Sequence, residues 1–433
     1  MQRKNLKMNM SFKKILKNVL GEQFLSNMKG HVYHYGCLSY FILSGKQKLI
    51  VDSDQLELYR ILEEEKKHVF RGYYDLDYYS ASSDRFLCHR LPFNAQNNKS
   101  TDCEIGYYSL KTGTWESIAT TNAWCWQQGS RLRWHPVDQE KIVFNAVEGS
   151  HYCAKVIDVN SKMQIQLLDW PLYDVTPDFH YGLSLNFSRL QRLRPGYGYN
   201  FFPDNTVNDC APENDGVWLV DLKQNNAHLI YSLQKLAERV NDWKMYEHYI
   251  NHISISPDGN KFMFFHIYTK SGDKNFKVIL YVSDIHGNHL TALESNDRAS
   301  HYCWIDNDRI MVTLKNEGGS EYYAIYGVES GNKKVLSITK LNCDGHPSLF
   351  VRDSLFVTDT YPLKHSLQHL RTFNLETNQL TNLADIYHDY RMRGEIRCDL
   401  HPSVTADGAF ISVDSTYHRK KRCVIILKNH IGN

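Results

Sequence analysis

Residues 251–266 read Asn-His-Ile-Ser-Ile-Ser-Pro-Asp-Gly-Asn-Lys-Phe-Met-Phe-Phe-His, which is a β-prone run, a Ser-Pro-Asp-Gly turn and a second β-prone run. Such a turn between two apolar runs is a β-hairpin signature. Five other segments show the same order of features, and a degenerate seventh copy at residues 180–187 lacks the Pro-Asp turn. The five segments lie at residues 78–90, 132–144, 302–312, 342–357 and 397–413.

The acidic residues of these turns recur about every 45–55 residues, once the seventh copy divides the long interval between Asp138 and Asp258. This period is typical of a four-stranded propeller blade. Further β-prone runs between the hairpins, such as residues 217–222 and 278–282, supply the outer strands. Seven copies therefore predict an all-β fold in which residues 66–433 form a seven-bladed β-propeller.

Two segments depart from the repeat. Residues 1–65 precede it, and we expect them to supply an amphipathic helix plus strand material, packed as a cap or donating a closing strand to the last blade. Residues 189–250 form a long insertion in the region of the third and fourth blades, with a loop first and a predicted helix around residues 233–246. Long loops inside a compact domain are more often functional than decorative.

The N-terminal segment is rich in lysine and has apolar residues at helical spacing on one face, namely Phe12, Ile15, Leu16, Val19, Leu20 and Phe24. This helix either packs on the propeller or makes a peripheral contact with an anionic membrane surface. No uninterrupted apolar stretch follows it, which argues against a cleavable signal or a transmembrane helix. We therefore expect a cytoplasmic protein, with peripheral membrane attachment as the alternative.

Composition argues against several classes of function. Fifty basic and 48 acidic residues leave a net charge of +2, so binding to nucleic acid through a bulk positive field is not indicated. Ten cysteines without dense spacing indicate reduced thiols rather than a secreted disulfide framework. The sequence contains no phosphate-binding Gly-x-x-x-x-Gly-Lys loop, no Gly-x-Ser-x-Gly elbow and no His-Glu-x-x-His helix.

Two copies of the repeat contain the motif Cys-Asp-x-His-Pro-Ser, at residues 343–348 and 398–403. Thiolate and imidazole are good zinc ligands, so each Cys-x-x-His pair resembles half of a zinc centre. Residues three apart in a strand point to opposite faces, however, and a repeat also duplicates a cysteine that serves only packing. We therefore expect a site that combines modules and binds a divalent metal, zinc or manganese, through His401, His346 and one of Cys398 or Asp399, with His252 as a further candidate ligand.

Histidines also precede several of the turns, where the inner strands of a propeller line its central channel. His252, His346 and His401 occupy closely related positions, and His135 lies slightly nearer its turn. These imidazoles are expected to converge around one axis from distant parts of the sequence. The structural alternative is that each one hydrogen-bonds a carbonyl group between blades.

The insertion begins with three arginines within six residues, followed by Gly-Tyr-Gly-Tyr at residues 196–199. Arginine binds carboxylates with two parallel hydrogen bonds, and tyrosine can exchange a proton with a substrate. This pattern indicates a site for an acidic ligand. The alternative is a basic, aromatic loop that only packs on its neighbours.

With these motifs the chain resembles the propeller family that includes oligogalacturonate lyases and ulvan lyases, with TolB-like repeats as wider relatives. The likeness rests on the module at His252–Gly259, on His-Pro-Ser at residues 401–403, and on the stretch from Ser-Leu-Asn-Phe-x-Arg at residues 184–189 to Gly-Tyr-Gly-Tyr. It covers most of residues 68–425. The resemblance implies a seven-bladed propeller that acts on acidic sugars.

The resemblance also implies a metal site. In oligogalacturonate lyases, a histidine before the Ser-Pro-Asp-Gly turn, a His-Pro-His-Pro cluster and a glutamine bind a divalent cation. His252 and His401 match two of these positions, whereas Asp399 stands where the family has a histidine, and no glutamine precedes it at Arg397 or Cys398. These departures predict a metal that differs from the family's or is purely structural.

Catalytic roles follow from the same resemblance. In ulvan lyases, histidine and tyrosine act as base and acid, and arginine neutralises the carboxylate of the uronate. The counterparts implied in this sequence are His135, Arg194, Tyr197 and His252. Three further residues are assigned to substrate binding, namely Arg189, Tyr199 and His151.

These features predict a lyase-like propeller that cleaves an acidic, uronate-containing oligosaccharide or polysaccharide by β-elimination. This reaction removes the proton on C5, next to the carboxylate, and expels the sugar attached at C4. It requires a cation at the carboxylate, a base for C5 and an acid for the leaving oxygen. The alternative is a non-catalytic propeller that binds a glycan or a protein in cell-surface polysaccharide metabolism, because propellers host many functions.

Overall fold

The computed structural model describes residues 22–96, 101–270, 275–351, 354–418 and 420–431, without the side chains of residues 22–27 and 351. Within this part of the chain, the strands form seven antiparallel sheets that follow one another in sequence order. The predicted seven-bladed β-propeller is confirmed. Each blade contains one copy of the repeat, which contributes to its inner strands, and the β-prone runs between copies form its outer strands. In blades 1 and 3 the innermost strands, Lys67–Phe70 and Asp174–Val175, precede the copies at residues 78–90 and 180–187.

The first four blades have four strands each, which run from the innermost to the outermost in sequence order. Blade 1 comprises Lys67–Phe70, Arg85–Pro92, Cys103–Ser109 and Trp115–Thr121, and blade 2 comprises Arg133–Trp134, Lys141–Glu148, His151–Asp158 and Gln164–Leu168. Blade 3 comprises Asp174–Val175, Tyr181–Ser184, Gly216–Asp221 and Asn226–Ser232, and blade 4 comprises Glu247–Ile255, Lys261–Thr269, Phe276–Asp284 and Leu290–Glu294.

Blades 5 to 7 complete the ring, and blades 6 and 7 each receive a strand from the N-terminal segment. Blade 5 comprises Arg298–Trp304, Arg309–Lys315, Glu321–Gly327 and Lys333–Val335. Blade 6 comprises Ser348–Val351, Leu355–Thr358, Leu367–Asn374, Leu380–Tyr387 and the added strand Leu49–Val51, and blade 7 comprises Ser403–Val404, Phe410–Ser415, Cys423–Asn429 and Leu56–Leu62.

The outermost strand of blade 7 comes from the start of the chain and closes the propeller. Leu56–Leu62 pairs antiparallel with Cys423–Asn429, and its end residues Leu56 and Leu62 are buried in the core. Closure of this kind ties the two ends of the chain into one sheet. The segment before residue 66 therefore supplies the closing strand that was one of the two arrangements expected for it.

The residues of the Ser-Pro-Asp-Gly turn in blade 4 explain how this turn joins the two inner strands. The hydroxyl of Ser256 donates to the carboxylate of Asp258 (2.6 Å) and accepts from the backbone N–H of Lys261 (3.0 Å). Gly259 has a φ of 78°, a left-handed conformation that glycine adopts without steric cost. The turn thus satisfies its own polar groups, and the flanking strands pair in register.

Blade 3 contains the same turn four residues upstream of the degenerate copy. Thr176 donates its hydroxyl to Asp178 (2.6 Å), as Ser256 does to Asp258, and Phe179 takes the left-handed position with a φ of 53°. The expectation that the seventh copy lacks a Pro-Asp turn is therefore wrong. Threonine and phenylalanine in place of serine and glycine concealed it.

In the described residues, three α-helices lie outside the blades, and we number them α1 (Glu22–Ser44), α2 (Phe187–Leu193) and α3 (Leu233–Ala237). Short 3₁₀ turns occur at Trp243–Met245, Lys364–Ser366 and Gly394–Ile396. The helix α2 begins where the sequence indicated a loop, because Asn186 caps it by accepting from the backbone N–H of Arg189. Of the helices in the described residues, none is long and apolar enough to cross a membrane.

The amphipathic helix expected from Phe12 to Phe24 lies almost entirely outside the described residues. In the described part, α1 packs one face against blade 6, where Cys37 and Phe41 contact Tyr387.

The hydrophobic core lies between neighbouring blades. The second strand of blade 4 is buried along almost its whole length, since both of its faces are covered by adjacent sheets.

Two buried histidines in blade 1 are held neutral by the fold. His89 accepts a hydrogen bond from the backbone N–H of Ser130 (3.0 Å), and His68 accepts one from the backbone N–H of Arg422 (3.1 Å). Burial lowers the pKa of each side chain from 6.5 to about 4. A charged imidazole at either position loses its hydration without gaining a carboxylate partner.

We expect these two histidines to make the protein less stable in mild acid. Their folded pKa lies below the unfolded value, so their contribution is complete above pH 6.5 and is lost as the pH falls toward 4. Lowering the pH from 7 to 5 should reduce the free energy of unfolding by about 2 kcal/mol for each histidine. Urea denaturation at both pH values, with chelator present, measures this change.

The variant His89→Gln provides the comparison, because glutamine is neutral at both pH values. Its stability should depend less on pH than that of the wild type, whereas His151→Gln, at an exposed position, should leave the dependence unaltered. An unchanged pH dependence in His89→Gln contradicts the assignment.

Candidate functional site

Four histidines from four consecutive blades meet in the interior of the channel. The ring centroids of His301 and His346 are 3.9 Å apart, those of His346 and His401 are 4.3 Å apart, and those of His252 and His301 are 6.4 Å apart. No member of this group, which we call the histidine cluster, exposes more than 3% of its surface. The convergence expected for His252, His346 and His401 is therefore present, and His301 joins them.

Tyr73, which follows the first strand of blade 1, lies at the centre of the histidine cluster. Its ring centroid is 4.8 Å from that of His401, 5.3 Å from that of His252 and 6.1 Å from that of His346. Burial raises the pKa of Tyr73 well above 10, so its hydroxyl stays protonated. Tyr73, from the first blade, and His401, from the last blade, therefore meet at this site.

Backbone irregularities aim these side chains at the axis. In blade 4 the pairing register shifts between Asn251 and Ser254, and His252, inside this bulge, has a φ of 54°. His401 likewise has a φ of 48°. A left-handed backbone at a residue other than glycine costs of order 1–3 kcal/mol and persists only where the surroundings enforce it. Bulges beside functional sites commonly redirect a side chain in this way.

Three imidazoles of the cluster have a buried nitrogen with no hydrogen-bond partner among the described residues, namely Nδ1 of His252 and Nε2 of His346 and of His401. His346 donates from Nδ1 to the carboxylate of Asp359 (2.8 Å), and His401 donates from Nδ1 to the carbonyl of Gly72 (3.1 Å). The Nε2 atom of each ring is buried and has no hydrogen-bond partner among the described residues. A histidine that donates Nδ1–H to an acceptor and leaves Nε2 free is arranged as metal-bound histidines are.

Asp399 supplies a third donor next to these nitrogens. Its carboxylate receives Nε–H and Nη2–H of Arg397 at 2.7–3.0 Å, and its Oδ2 lies 4.0 Å from Nε2 of His401. Burial raises the pKa of Asp399, but the charges of Arg397 and His346 together with the hydrogen bonds from Arg397 outweigh this, and the net pKa is lowered. One ligand atom each from His346, Asp399 and His401 falls within 4.8 Å of the others, and this arrangement fits a divalent cation.

Cys398, the other metal ligand considered from the sequence, is not part of this set. Its thiol lies 3.9 Å from the carbonyl oxygen of Asp399, and burial raises its pKa to about 12. The thiol is therefore protonated and behaves as a small apolar side chain.

A second group of side chains borders the histidine cluster. The ring of Tyr197 lies 5.9 Å from that of His252, and the guanidinium of Arg194 lies 5.1 Å from the Tyr197 ring. The Nη2 of Arg397 donates to the hydroxyl of Tyr197 at 3.4 Å and its guanidinium lies 5.3 Å from the ring of Tyr361. The structure thus brings Arg194, Tyr197 and His252 together.

The side chain of Arg194 differs from its neighbours in lacking an acidic partner. Arg397 is paired with Asp399, whereas the ion pairs in the described part of the chain do not include Arg194. Its guanidinium instead lies 4.4 Å from the ring of Phe276. A cation without a carboxylate partner, beside a tyrosine and a neutral histidine, is suited to an acidic ligand.

An open cleft of about 850 Å³ adjoins Arg194 at the edge of blades 4 and 5. It is lined by Phe276 and by Arg298, whose guanidinium lies 4.9 Å from the same Phe276 ring. Lys277, Lys315 and Glu317 also line it. The cleft gives an extended polar ligand access to the side of Phe276.

The remaining residues predicted from the sequence lie elsewhere. His135 accepts from the backbone N–H groups of Val137 (3.2 Å) and Asp138 (3.1 Å), and it therefore caps its own turn. His151 is exposed at the first position of a strand in blade 2. The hydroxyl of Tyr199 accepts from Asn145 (2.9 Å), and its ring stacks on Phe187 in the core.

Arg189 is the most completely bound of these side chains. It is 1% exposed and lies on the inner face of α2. It donates to the carbonyls of His248, Thr206, Asp209 and Cys210, to the Thr206 hydroxyl and to Glu247. All of its N–H groups are used to fix the insertion to blade 4, so its role is structural.

Several residues of the site were not found from the sequence. His301 lies in a bulge of blade 5 between Ala299 and Tyr302, as His252 does in blade 4, so an alignment of the copies by strand register reveals it. Asp359 and Tyr361 follow the second strand of blade 6, outside the motif that was compared. No local signal marks them, because they reach the site only through the fold.

Comparisons with known proteins support the architecture. The sequence matches no protein-family model and no curated protein. Among solved structures, the chain is similar to an oligogalacturonate lyase in complex with manganese, with 13% identity, 89% of this chain and 98% of that chain covered, and a TM-score of 0.60. It is also similar to the oligogalacturonate lyase of Vibrio parahaemolyticus, with 12% identity, coverage of 88% and 96%, and a TM-score of 0.61. The chain therefore shares the seven-bladed propeller fold of oligogalacturonate lyases.

Proposed function

We propose that the protein is a lyase that cleaves an acidic, uronate-containing oligosaccharide or polysaccharide by β-elimination. The observation that carries this proposal is the grouping of Arg194, which has no acidic partner in the described residues, with Tyr197 and the neutral His252. The fold shared with oligogalacturonate lyases is consistent with it. Each of the three chemical groups that elimination requires has a candidate in this arrangement.

Arg194 is assigned to the carboxylate of the substrate. Its guanidinium can donate two parallel hydrogen bonds to the two carboxylate oxygens. As the C5 proton leaves, negative charge spreads from C5 onto these oxygens, and the fixed cation stabilises that charge more than it stabilises the ground state.

His252 is assigned as the base. Burial, together with the charges of His301 and Arg194, lowers its pKa well below 6.5, so the ring is neutral and carries a lone pair at physiological pH. His252 takes the C5 proton, and the electrons of the C5–H bond spread onto the carboxylate held by Arg194. These electrons then form the C4–C5 double bond as the bond from C4 to the leaving oxygen breaks, and the hydroxyl of Tyr197 supplies the proton that this oxygen takes up.

His346, Asp399 and His401 are proposed to hold a divalent cation, zinc or manganese. Two nitrogens and a carboxylate oxygen suit both metals. When bound, such an ion supplies positive charge to the interior of the channel. The contribution of the chain is to orient the donors, through Asp359 for His346, Gly72 for His401 and Arg397 for Asp399.

We expect purified protein, incubated with zinc or manganese and then desalted, to retain about one equivalent of metal. The double variant His346→Ala/His401→Ala should retain 10-fold to 100-fold less at the same free metal concentration, because two of three donors are gone. Elemental analysis measures the content, and a chelator should lower the melting temperature of the wild type but not of the variant. His135→Ala is the matched control, and wild-type metal content in the double variant contradicts the assignment.

A non-catalytic propeller that binds an acidic glycan is the second candidate, and the burial of the histidine cluster favours it. A panel of uronate polymers and oligomers separates the two. Catalysis should generate the ultraviolet absorbance of a 4,5-unsaturated uronate, and calorimetry should detect binding in both cases. Binding without absorbance supports the second candidate, and the absence of both from a broad panel contradicts the two together.

A further inference from the structure

The helix α1 has an apolar face that the propeller does not cover. Its opposite face is anchored, since Phe41 packs on Tyr387 and Tyr40 stacks on His365 with ring centroids 3.7 Å apart. Four large side chains lie on the uncovered face, and their exposed fractions are 69% for Val32, 64% for Tyr35, 79% for Ile42 and 87% for Leu43. Tyr35, Ile42 and Leu43 follow Val32 by three, ten and eleven residues, so the four side chains form one stripe along the helix.

The sequence around this stripe is strongly basic. Residues 1–51 contain nine lysines and arginines and a single acidic residue, Glu22, whereas the chain as a whole carries a net charge of only +2. Six of the nine cations precede α1, at residues 3–17. An apolar stripe together with a basic flank is the pattern of a helix that lies in the interface of an anionic bilayer.

The charge also argues against other occupants of this face. A second copy of the chain would bring two basic segments together, and their repulsion opposes association. A soluble polyanion needs only the basic residues for binding, so it does not explain the exposed apolar stripe. We propose that α1 lies flat on an anionic membrane surface, with Val32, Tyr35, Ile42 and Leu43 in the interface, and that the positive charge of the N-terminal sequence strengthens its attraction to anionic lipids.

Docking of this kind fixes which end of the propeller faces the membrane. α1 contacts the connection between the second and third strands of blade 6, where the hydroxyl of Tyr33 accepts from the backbone N–H of Ser366 (3.2 Å). The same connection carries Asp359, which holds His346, and Tyr361, which lies against Arg397. The candidate site and the membrane-binding face are therefore at the same end of the molecule.

Co-sedimentation of the full-length protein with vesicles tests this proposal. Binding to phosphatidylcholine mixed with phosphatidylglycerol should be at least about 10-fold stronger than binding to phosphatidylcholine alone, and high salt should weaken it. Ile42→Asp/Leu43→Asp should reduce binding about 10-fold or more, as should Lys13→Glu/Lys14→Glu/Lys17→Glu. Because Ile42 and Leu43 are exposed, the melting temperature should stay unchanged.

Val137→Asp is the matched control, since Val137 is 64% exposed on a turn of blade 2 and should not affect vesicle binding. Equal binding to both kinds of vesicle, or no binding to either, overturns the proposal. So does wild-type binding by Ile42→Asp/Leu43→Asp. A dimer in size-exclusion chromatography that this double variant dissociates also overturns it, because the stripe is then an interface between copies.

Discussion

Replacing Arg194 with alanine is expected to lower the rate of uronate elimination by about 100-fold or more. The guanidinium is the cation assigned to the substrate carboxylate, where charge develops during removal of the C5 proton. Its contacts with the rings of Tyr197 and Phe276 stabilise the fold by only about 1 kcal/mol, so the variant should remain folded. The measurement is the turnover number from the absorbance assay, with the melting temperature recorded alongside.

Two further variants make this result specific. Arg298→Ala loses a cation packed on the same Phe276 ring, and it should affect turnover far less because Arg298 lies farther along the cleft. Arg194→Lys should recover little activity, since one ammonium cannot reproduce a two-pronged contact with a carboxylate. Full activity in Arg194→Lys, or equal losses in Arg194→Ala and Arg298→Ala, would contradict the role assigned to Arg194.

Replacing Arg71 with alanine should destabilise the propeller by about 3–5 kcal/mol. Arg71 is fully buried and joins blade 1 to blade 7, where it donates to the hydroxyls of Ser403 (2.6 Å) and Ser412 (3.0 Å) and to the carbonyl of Leu400 (3.0 Å). Its Nε lies 3.7 Å from the carboxylate of Asp414, which is also fully buried. Removing the guanidinium takes away the charge nearest to this buried carboxylate, which then keeps the backbone N–H of residue 71 (3.2 Å) and the charge of Arg422.

Urea denaturation of the single and double variants separates the two contributions. Burial already raises the pKa of Asp414 against the lowering charge of Arg71, so Arg71→Ala/Asp414→Leu should be less destabilised than Arg71→Ala alone. The exposed pair of Lys162 and Glu116 joins blades 1 and 2 and serves as the control, with Lys162→Ala expected to cost below about 0.5 kcal/mol. Similar losses for Arg71→Ala and Lys162→Ala would refute the prediction.

The architecture was predictable because its determinants are local. Ser256, Asp258 and Gly259 form a turn from their own side chains and backbone, and the turn recurs at a fixed period. Thr176 and Phe179 form the same kind of turn with other residue types. The motif is then absent from the sequence although the turn is present in the structure. The recurrence of the turn therefore predicts the number of blades reliably. It predicts the strand register of a divergent blade less reliably.

The site was harder to predict because neighbouring residues in one segment face different directions. Arg189 and Arg194 lie five residues apart, yet Arg189 is on the buried face of α2 and Arg194 is the residue that ends this helix. Cys398 and Asp399 are adjacent, and only Asp399 joins the candidate metal ligands. The partner of His346, Asp359, comes from a different strand connection. Which of these residues face the site depends on packing between blades, and a sequence motif does not encode that packing.

The closing strand of blade 7 imposes an order on biosynthesis. Leu58 pairs with Leu427, so the closing strand, which leaves the ribosome directly after Leu49–Val51, lacks its partner for roughly 20–70 seconds at ordinary rates of translation. Its edge hydrogen bonds and its apolar side chains stay unpaired during that interval, as in other topologies of high contact order. The ring can thus close only after residues 423–429 have been synthesised, and chaperones that shield exposed strands are expected to bind the nascent chain at Leu56–Leu62 until then.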